Sequence, residues 1–318
     1  MPATKKLNIV KPHPDAIAAL RSRSRHGARL APGFHARKDL NLSDHGGRRL
    51  NDLKFANFYL GHWSASDMTS IDSALSGALT DPKLNHVMQQ YFPSPVTTEF
   101  LGSSLRGDSS LVPGATYNRD NVHATLARLS LAHYDLSDTV ICLYLPQGVI
   151  LDTRSARPGG VGDDRDKDGD GNTKKSGHVI GDKDDADDST QGLGGYHGSA
   201  QINGKNVLFA VAVYSDESDG EINGIPVWPD SWKNVVATMY HELNEARTDP
   251  DVEAAMRGND DSLLGWYSDN AGEIGDIPME EAGQDLAKVM VEVALLAGGT
   301  VPIQLMWSNE VGGPGLPY

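Results

Sequence analysis

The stretch YHELNEARTDPD, residues 240–251, opens like the metal-binding helix pattern His-Glu-x-x-His, but Glu245 stands where the second histidine would be. It closes the longer segment SWKNVVATMYHELNEART, in which Val236, Tyr240 and Leu243 recur at i, i+4 and i+7. That spacing predicts a helix of about 231–247 with one stripe packed on a core. His241 and Glu245 lie four residues apart on it, so their side chains leave one face and can meet one ion. Glu242 sits a residue further round, beside such an ion without needing to bind it. Helix ligands that hold a metal, with a glutamate that activates its water, form a hydrolytic zinc site. Zinc accepts carboxylate oxygen. Two carboxylates and a neutral histidine nevertheless cancel the charge of a divalent ion, which makes Mn²⁺ or Ca²⁺ more competitive. A solvated acidic helix face has the same spacing.

Further acids follow. Asp249 continues the stripe, and a negative charge at a helix C-terminus is unfavourable unless a cation offsets it. The alternative is that Asp249-Pro250, ahead of DVEAAM, caps the next helix with proline at its first position. GEIGD supplies Glu273 and Asp276 after Trp266-Tyr267. Glu273 is the preferred third ligand by analogy with zincins that draw a glutamate from downstream, and Asp276 is next. His197, in GYHG, is a further ligand, a donor to a developing oxyanion, or a structural histidine in a turn. Tyr240 and His197 are the candidates for assisting a transition state.

The 318 residues suffice for one large domain or two modest ones, and no run of 18 or more apolar residues could span a membrane. The single cysteine, Cys142, lies in TVICLYL and reads as a small buried apolar residue. Charge is uneven: residues 1–50 hold 11 Lys/Arg against 3 Asp/Glu, and the remainder 17 against 40. An acidic body disfavours nucleic acid as a partner. The basic arm, 1–45, has no apolar signal-peptide region and reads as a disordered leader or pro-segment.

From residue 46 a single domain is expected. KFANFYLGHW (54–63), TTEFLG (97–102) and TVICLYLPQ (139–147) read as strands. Helices are expected after Ser64, after Asp81-Pro82, and over 121–134. Asn203-Gly204 marks a type I′ hairpin, and Gly298-Gly299 the turn of a second one. Between these halves lies an acidic loop, 157–195, rich in Gly, Asp and Lys. Within it Asp166, Asp168 and Asp170 occupy positions 1, 3 and 5 of a calcium-loop pattern with Gly171 at position 6. Position 12 is Gly177 rather than Glu, so the loop is either a Ca²⁺ site completed by Asp182 or Asp184, or a solvated linker. No G-x-S-x-G elbow or phosphate-binding glycine loop is present.

FYLGHW, GYHG, YHELNEARTDP, GWYSDNAGEIGD and PIQLMWSN, in that order, resemble the Exordium (phosphate-induced protein) family of plants and its bacterial relatives. The resemblance runs from about residue 50 to the end, apart from much of the acidic loop. It aligns His241, Glu242, Glu245, Asp249-Pro250, Trp266-Tyr267 and Glu273 to Asp276 with the family pattern. Plant members carry Asn at the Asp249 position and a cysteine after Glu-Ile-Gly-Asp, where this chain has Ile277-Pro278. They are secreted, a property that does not transfer here. The family does not define an activity.

The fold expected is α+β: a zincin-like mixed sheet packed on the metal-site helix, with the long acidic Gly/Asp-rich loop. The function expected is a zinc-dependent hydrolase, a peptidase acting on peptide or protein. His241, Glu245 and Glu273 would hold Zn²⁺, and Glu242 would be the general base. The alternative is a non-catalytic binding or signalling protein with a structural or vestigial metal.

Overall fold

TVICLYL and NVLFAVAV lack the alternation of a strand with one wet face, as befits strands covered on both sides. In the computed structural model, which describes residues 28–154, 188–218 and 220–317, both are interior strands of one five-stranded sheet. Its members are β1 (Asp52–Leu60), β2 (Thr97–Arg106), β3 (Thr139–Tyr144), β4 (Gly195–Ile202) and β5 (Lys205–Ala212), in the order β2-β1-β3-β5-β4. Four strands run parallel, and the edge strand β4 runs antiparallel to β5. The architecture is therefore mixed α and β around a mixed sheet.

Alternate residues of each central strand enter two cores. On one face Phe55, Tyr59, Cys142 and Ala210 pack with Ile71 and Leu75 of α1 (Ala65–Thr80) and with α2 (Pro82–Met88). On the other, Phe58, Ile141 and Phe209 pack with Val122 and Leu126 of α3 (Arg119–Arg128). Ser64 caps α1 by accepting from the Asp67 amide at 3.0 Å, and Asp81 caps α2 ahead of Pro82. Asn118 and Asn121 form a reciprocal capping box that starts α3 two residues earlier than expected. That helix stops at Arg128, and Leu129 continues in extended conformation while still packing on the sheet. Apolar spacing alone therefore overran its end.

The motif helix α4 (Ser231–Thr248) lies between this sheet and a second hairpin, β6 (Met290–Ala294) with β7 (Thr300–Gln304). Gly298 and Gly299 turn that hairpin at φ 95° and 82°. Every residue of α4 from Asn234 to Thr248 is buried, which rules out the solvated acidic helix. Asn203 and Gly204 both adopt positive φ, 50° and 76°, as a type I′ turn requires. The resulting register sets His197 opposite Ala210, which faces the core shared with α4.

Residues 28–45, assigned to the leader by their charge, are built into the fold. Ala28–Leu30 pairs with Gly313–Pro317, and Ser43–Asp44 pairs with Trp266–Tyr267. Ala28, Leu40 and Leu42 are buried, sparse anchors that the arginines around them obscured in the composition. Similarly, the chain is in place again by Asp188. The Ser189 hydroxyl donates to Asn223 and accepts from the Leu151 amide, and Leu193 is buried. No described helix is long and apolar enough to cross a membrane.

Candidate metal centre

Helical spacing turns His241, Glu242 and Glu245 towards β4 and towards the loop that leads into α6 (Asp276–Ala282). Contact with that loop depends on Gly275, whose amide donates to Glu245 Oε1 at 3.0 Å. A Cβ there would lie 2.5 Å from His241 Nδ1 and 2.8 Å from Glu245 Oε1, so only glycine lets the segment approach. The loop brings in Glu273 and Asp276, β4 brings in His197, and Asp249 sits at the end of α4. Two imidazoles and five carboxylates thus share one buried region, the most exposed of them, His197, at 5%.

Each imidazole has one nitrogen on a neutral acceptor. His241 Nδ1 lies 2.6 Å from Gln304 Oε1, and Gln304 Nε2 donates to the Gly275 carbonyl at 2.6 Å, which sets the amide orientation. Nδ1 therefore carries a proton, and Nε2 faces Glu245 Oε2 at 2.9 Å and Asp276 Oδ1 at 3.6 Å. Asp276 Oδ1 has no hydrogen-bond partner, and His241 Nε2 has the Glu245 carboxylate as its one close neighbour. His197 repeats the pattern. Its Nε2 meets the Asp249 carbonyl at 3.2 Å, and its Nδ1 faces Glu242 Oε2 at 3.3 Å and Glu245 Oε2 at 3.6 Å. Glu273 Oε1 lies 3.6 Å from His197 Nε2.

Two groups have metal-ligand spacing, His241–Glu245–Asp276 and His197–Glu242–Glu245, each with its donor atoms within 4.8 Å of one another. A tetrahedral ion with bonds of about 2.0–2.1 Å separates its ligands by about 3.4 Å. The distances from His241 bracket that value. Asp276 is thus the acid brought to His241, whereas Glu273, ranked first by sequence, is brought to His197.

The electrostatics call for positive charge. Burial and neighbouring carboxylates hold Glu273 and Asp276 far above the usual carboxylate range, and burial raises Glu242 as well. Asp249 is pushed up to about 7, chiefly by burial. Burial works against an imidazolium at His241, but Glu245, Glu242 and Asp276 outweigh it and raise its pKa to about 10. Glu245 alone is lowered: burial opposes its charge, yet His241, His197 and the Gly275 amide overcome that. Among the described residues, no lysine or arginine pairs with any of the five acids.

Other expected site residues fall elsewhere. The Tyr240 phenol lies in the hydrophobic core, where the charges it meets are Arg247 and Asp81. One residue of helical rotation, about 100°, turns it off the His241 face. Asp249 does not cap the following helix: α5 (Val252–Gly258) starts after Asp251, and the Asp249 carboxylate accepts from the Gly265 amide at 3.0 Å. Asp249 Oδ2 is left without a partner. The proposed Ca²⁺ ligands Asp166, Asp168 and Asp170 lie outside the described residues. Two residues near the site were given no role from the sequence. Gln304 lay within PIQLMWSN, a segment of the family resemblance in which no residue was given a role, and a glutamine there carries no spacing signal. Tyr267, partly exposed, has its phenol raised by burial and by the charges of Glu273, Asp276 and Asp249.

Comparisons with family models, with curated proteins and with solved structures find no match.

Proposed function

We propose that the chain is a metal-dependent hydrolase, a zincin-like peptidase in which His241, Glu245 and Asp276 hold Zn²⁺. One observation carries this reading. Gln304 occupies Nδ1 of His241, so Nε2 is the nitrogen turned to the buried carboxylates, 2.9 Å from Glu245 Oε2 and 3.6 Å from Asp276 Oδ1. These carboxylates need positive charge beside them: without a metal it is the proton that raises His241 to about 10, and a divalent cation would take its place. The zinc that His241, Glu245 and Asp276 would hold would supply a polarised water, and Glu242, adjacent on the helix, is placed to accept its proton. Burial raises the Glu242 carboxyl, which brings it closer to the range of a general base. The substrate class proposed is peptide or protein. The order of motifs shared with the Exordium family is consistent with common ancestry and assigns no chemistry.

A second reading is favoured by the burial of all seven groups at 5% exposure or less, because closed metal sites are usually structural. Glu242→Gln separates the two. If the hydrolase reading holds, the variant keeps zinc by elemental analysis and loses turnover on a broad peptide panel. A wild-type protein that holds zinc and cleaves nothing on that panel is a structural metalloprotein.

A further inference from the structure

Beyond one catalytic ion, and resting on the reading above, the geometry points to a second divalent-cation site formed by His197, Glu242 and Glu245, with Glu245 bridging both ions. His197 Nε2 is held by the Asp249 carbonyl at 3.2 Å, so in the neutral ring the lone pair is on Nδ1. Nδ1 faces Glu242 Oε2 at 3.3 Å and Glu245 Oε2 at 3.6 Å, the edge lengths of a second coordination polyhedron. Glu242 Oε1 is wholly buried and has no hydrogen-bond partner, which leaves that carboxylate free to bind through both oxygens.

Glu245 belongs to both groups through the same atom. Oε2 lies 2.9 Å from His241 Nε2 and 3.6 Å from His197 Nδ1, while Oε1 is turned away to the Gly275 amide. A carboxylate oxygen between two imidazole lone pairs is the bridging position of a paired-ion site. Charge balance agrees. With all five buried carboxyls ionised, one divalent ion would leave an excess of three negative charges and two ions would leave one.

The two ions are unequal. The second enters beside a like charge and shares a carboxylate already committed, so it binds more weakly than the first. It also engages Glu242, the base in the proposed hydrolysis. Its occupation therefore inhibits: zinc in excess of one equivalent blocks the enzyme that the first equivalent activates.

The test uses the full chain, stripped of metal by a chelator and titrated with Zn²⁺ alone, with calorimetry and elemental analysis as readouts. The wild type is expected to bind in two steps, the second at least tenfold weaker. His197→Ala should lose only the weak step and His241→Ala only the tight one. Glu242→Gln, which preserves side-chain shape, should weaken the second step at least tenfold and leave the first unchanged. Saturation of the wild type at one equivalent overturns the second site and leaves the hydrolase reading standing. A weak step that survives both His197→Ala and Glu242→Gln belongs elsewhere on the chain and also overturns it. Absence of any binding removes both proposals.

Discussion

The side-chain oxygen of Gln304 lies 2.6 Å from Nδ1 of His241, and the Gln304 amide nitrogen is itself spent on the Gly275 carbonyl. This pair sets which imidazole nitrogen can serve a ligand, and it joins β7 to the motif helix. Outer partners of this kind orient a metal ligand and typically contribute 10–100-fold in affinity. Gln304→Leu is accordingly expected to weaken zinc binding about 10–100-fold, and Gln304→Glu, which keeps an acceptor, to recover most of it. Chelator competition measures both, and equal affinity for wild type and Gln304→Leu would show that the contact is only packing.

Gly275→Ala tests the close approach of the GEIGD loop. The added methyl meets His241 and Glu245, both buried on α4, so the loop or these side chains must shift. A loss of about 1–3 kcal/mol in stability is expected, together with weaker zinc binding. Urea unfolding at unchanged m-value gives the number; a variant as stable as wild type would mean the loop is free to shift.

Glu242→Gln should lower kcat by about 10²–10⁴-fold, the usual contribution of a positioned base, with the tight zinc equivalent retained. Retention of wild-type turnover would remove Glu242 from the chemistry.

The metal-free protein should lose stability as pH rises. Asp249, Glu273, Asp276, His197 and His241 all have raised pKa values in the fold, so the folded state holds protons that the unfolded chain releases. Each such contribution is complete below the unfolded pKa and disappears as pH passes the folded one. The window is from 3.8 to about 7 for Asp249 and from 6.5 to about 10 for His241. Glu245, lowered, acts in the opposite sense only at acid pH, below its ordinary 4.5. The unfolding free energy without metal is expected to fall between pH 6 and pH 9, by about 1.4 kcal/mol per pH unit for each extra proton held, with Tm falling alongside it, and saturating zinc should flatten the slope. A metal-free Tm that rises over that range contradicts the electrostatics described.

Arg247 is wholly buried, donates to Asn85 Oδ1 at 3.1 Å and to Thr97 O and Thr98 Oγ1, and so ties the end of α4 to α2 and β2. Burial lowers its pKa to about 10. Arg247→Ala leaves a cavity and strands those partners, and a cost of about 3 kcal/mol is expected with metal content unchanged. Arg247→Met, which fills the volume without a charge to desolvate, should cost less. Paired denaturation curves check the order, and a reversed order would show that the site closes over the cavity and does not accommodate methionine.

What the chain determined by itself was local: the apolar runs of β3 and β5, the caps at Ser64, Asp81 and the Asn203-Gly204 turn, and the helix that sets His241 and Glu245 on one face. These depend on periodicity and on side chains bonding to nearby backbone, both of which are written within a few residues. Tertiary structure alone decided that α4 is buried all round between sheet and hairpin, that Asp276 rather than Glu273 meets His241, and that Gln304, 63 residues along the chain, holds His241 Nδ1. It also joined Ala28–Leu30 to the C-terminal strand and made Glu245 common to two imidazoles. Such pairings are set by how elements pack across long loops, and no spacing along the sequence encodes the distance between atoms that meet only when the layers close.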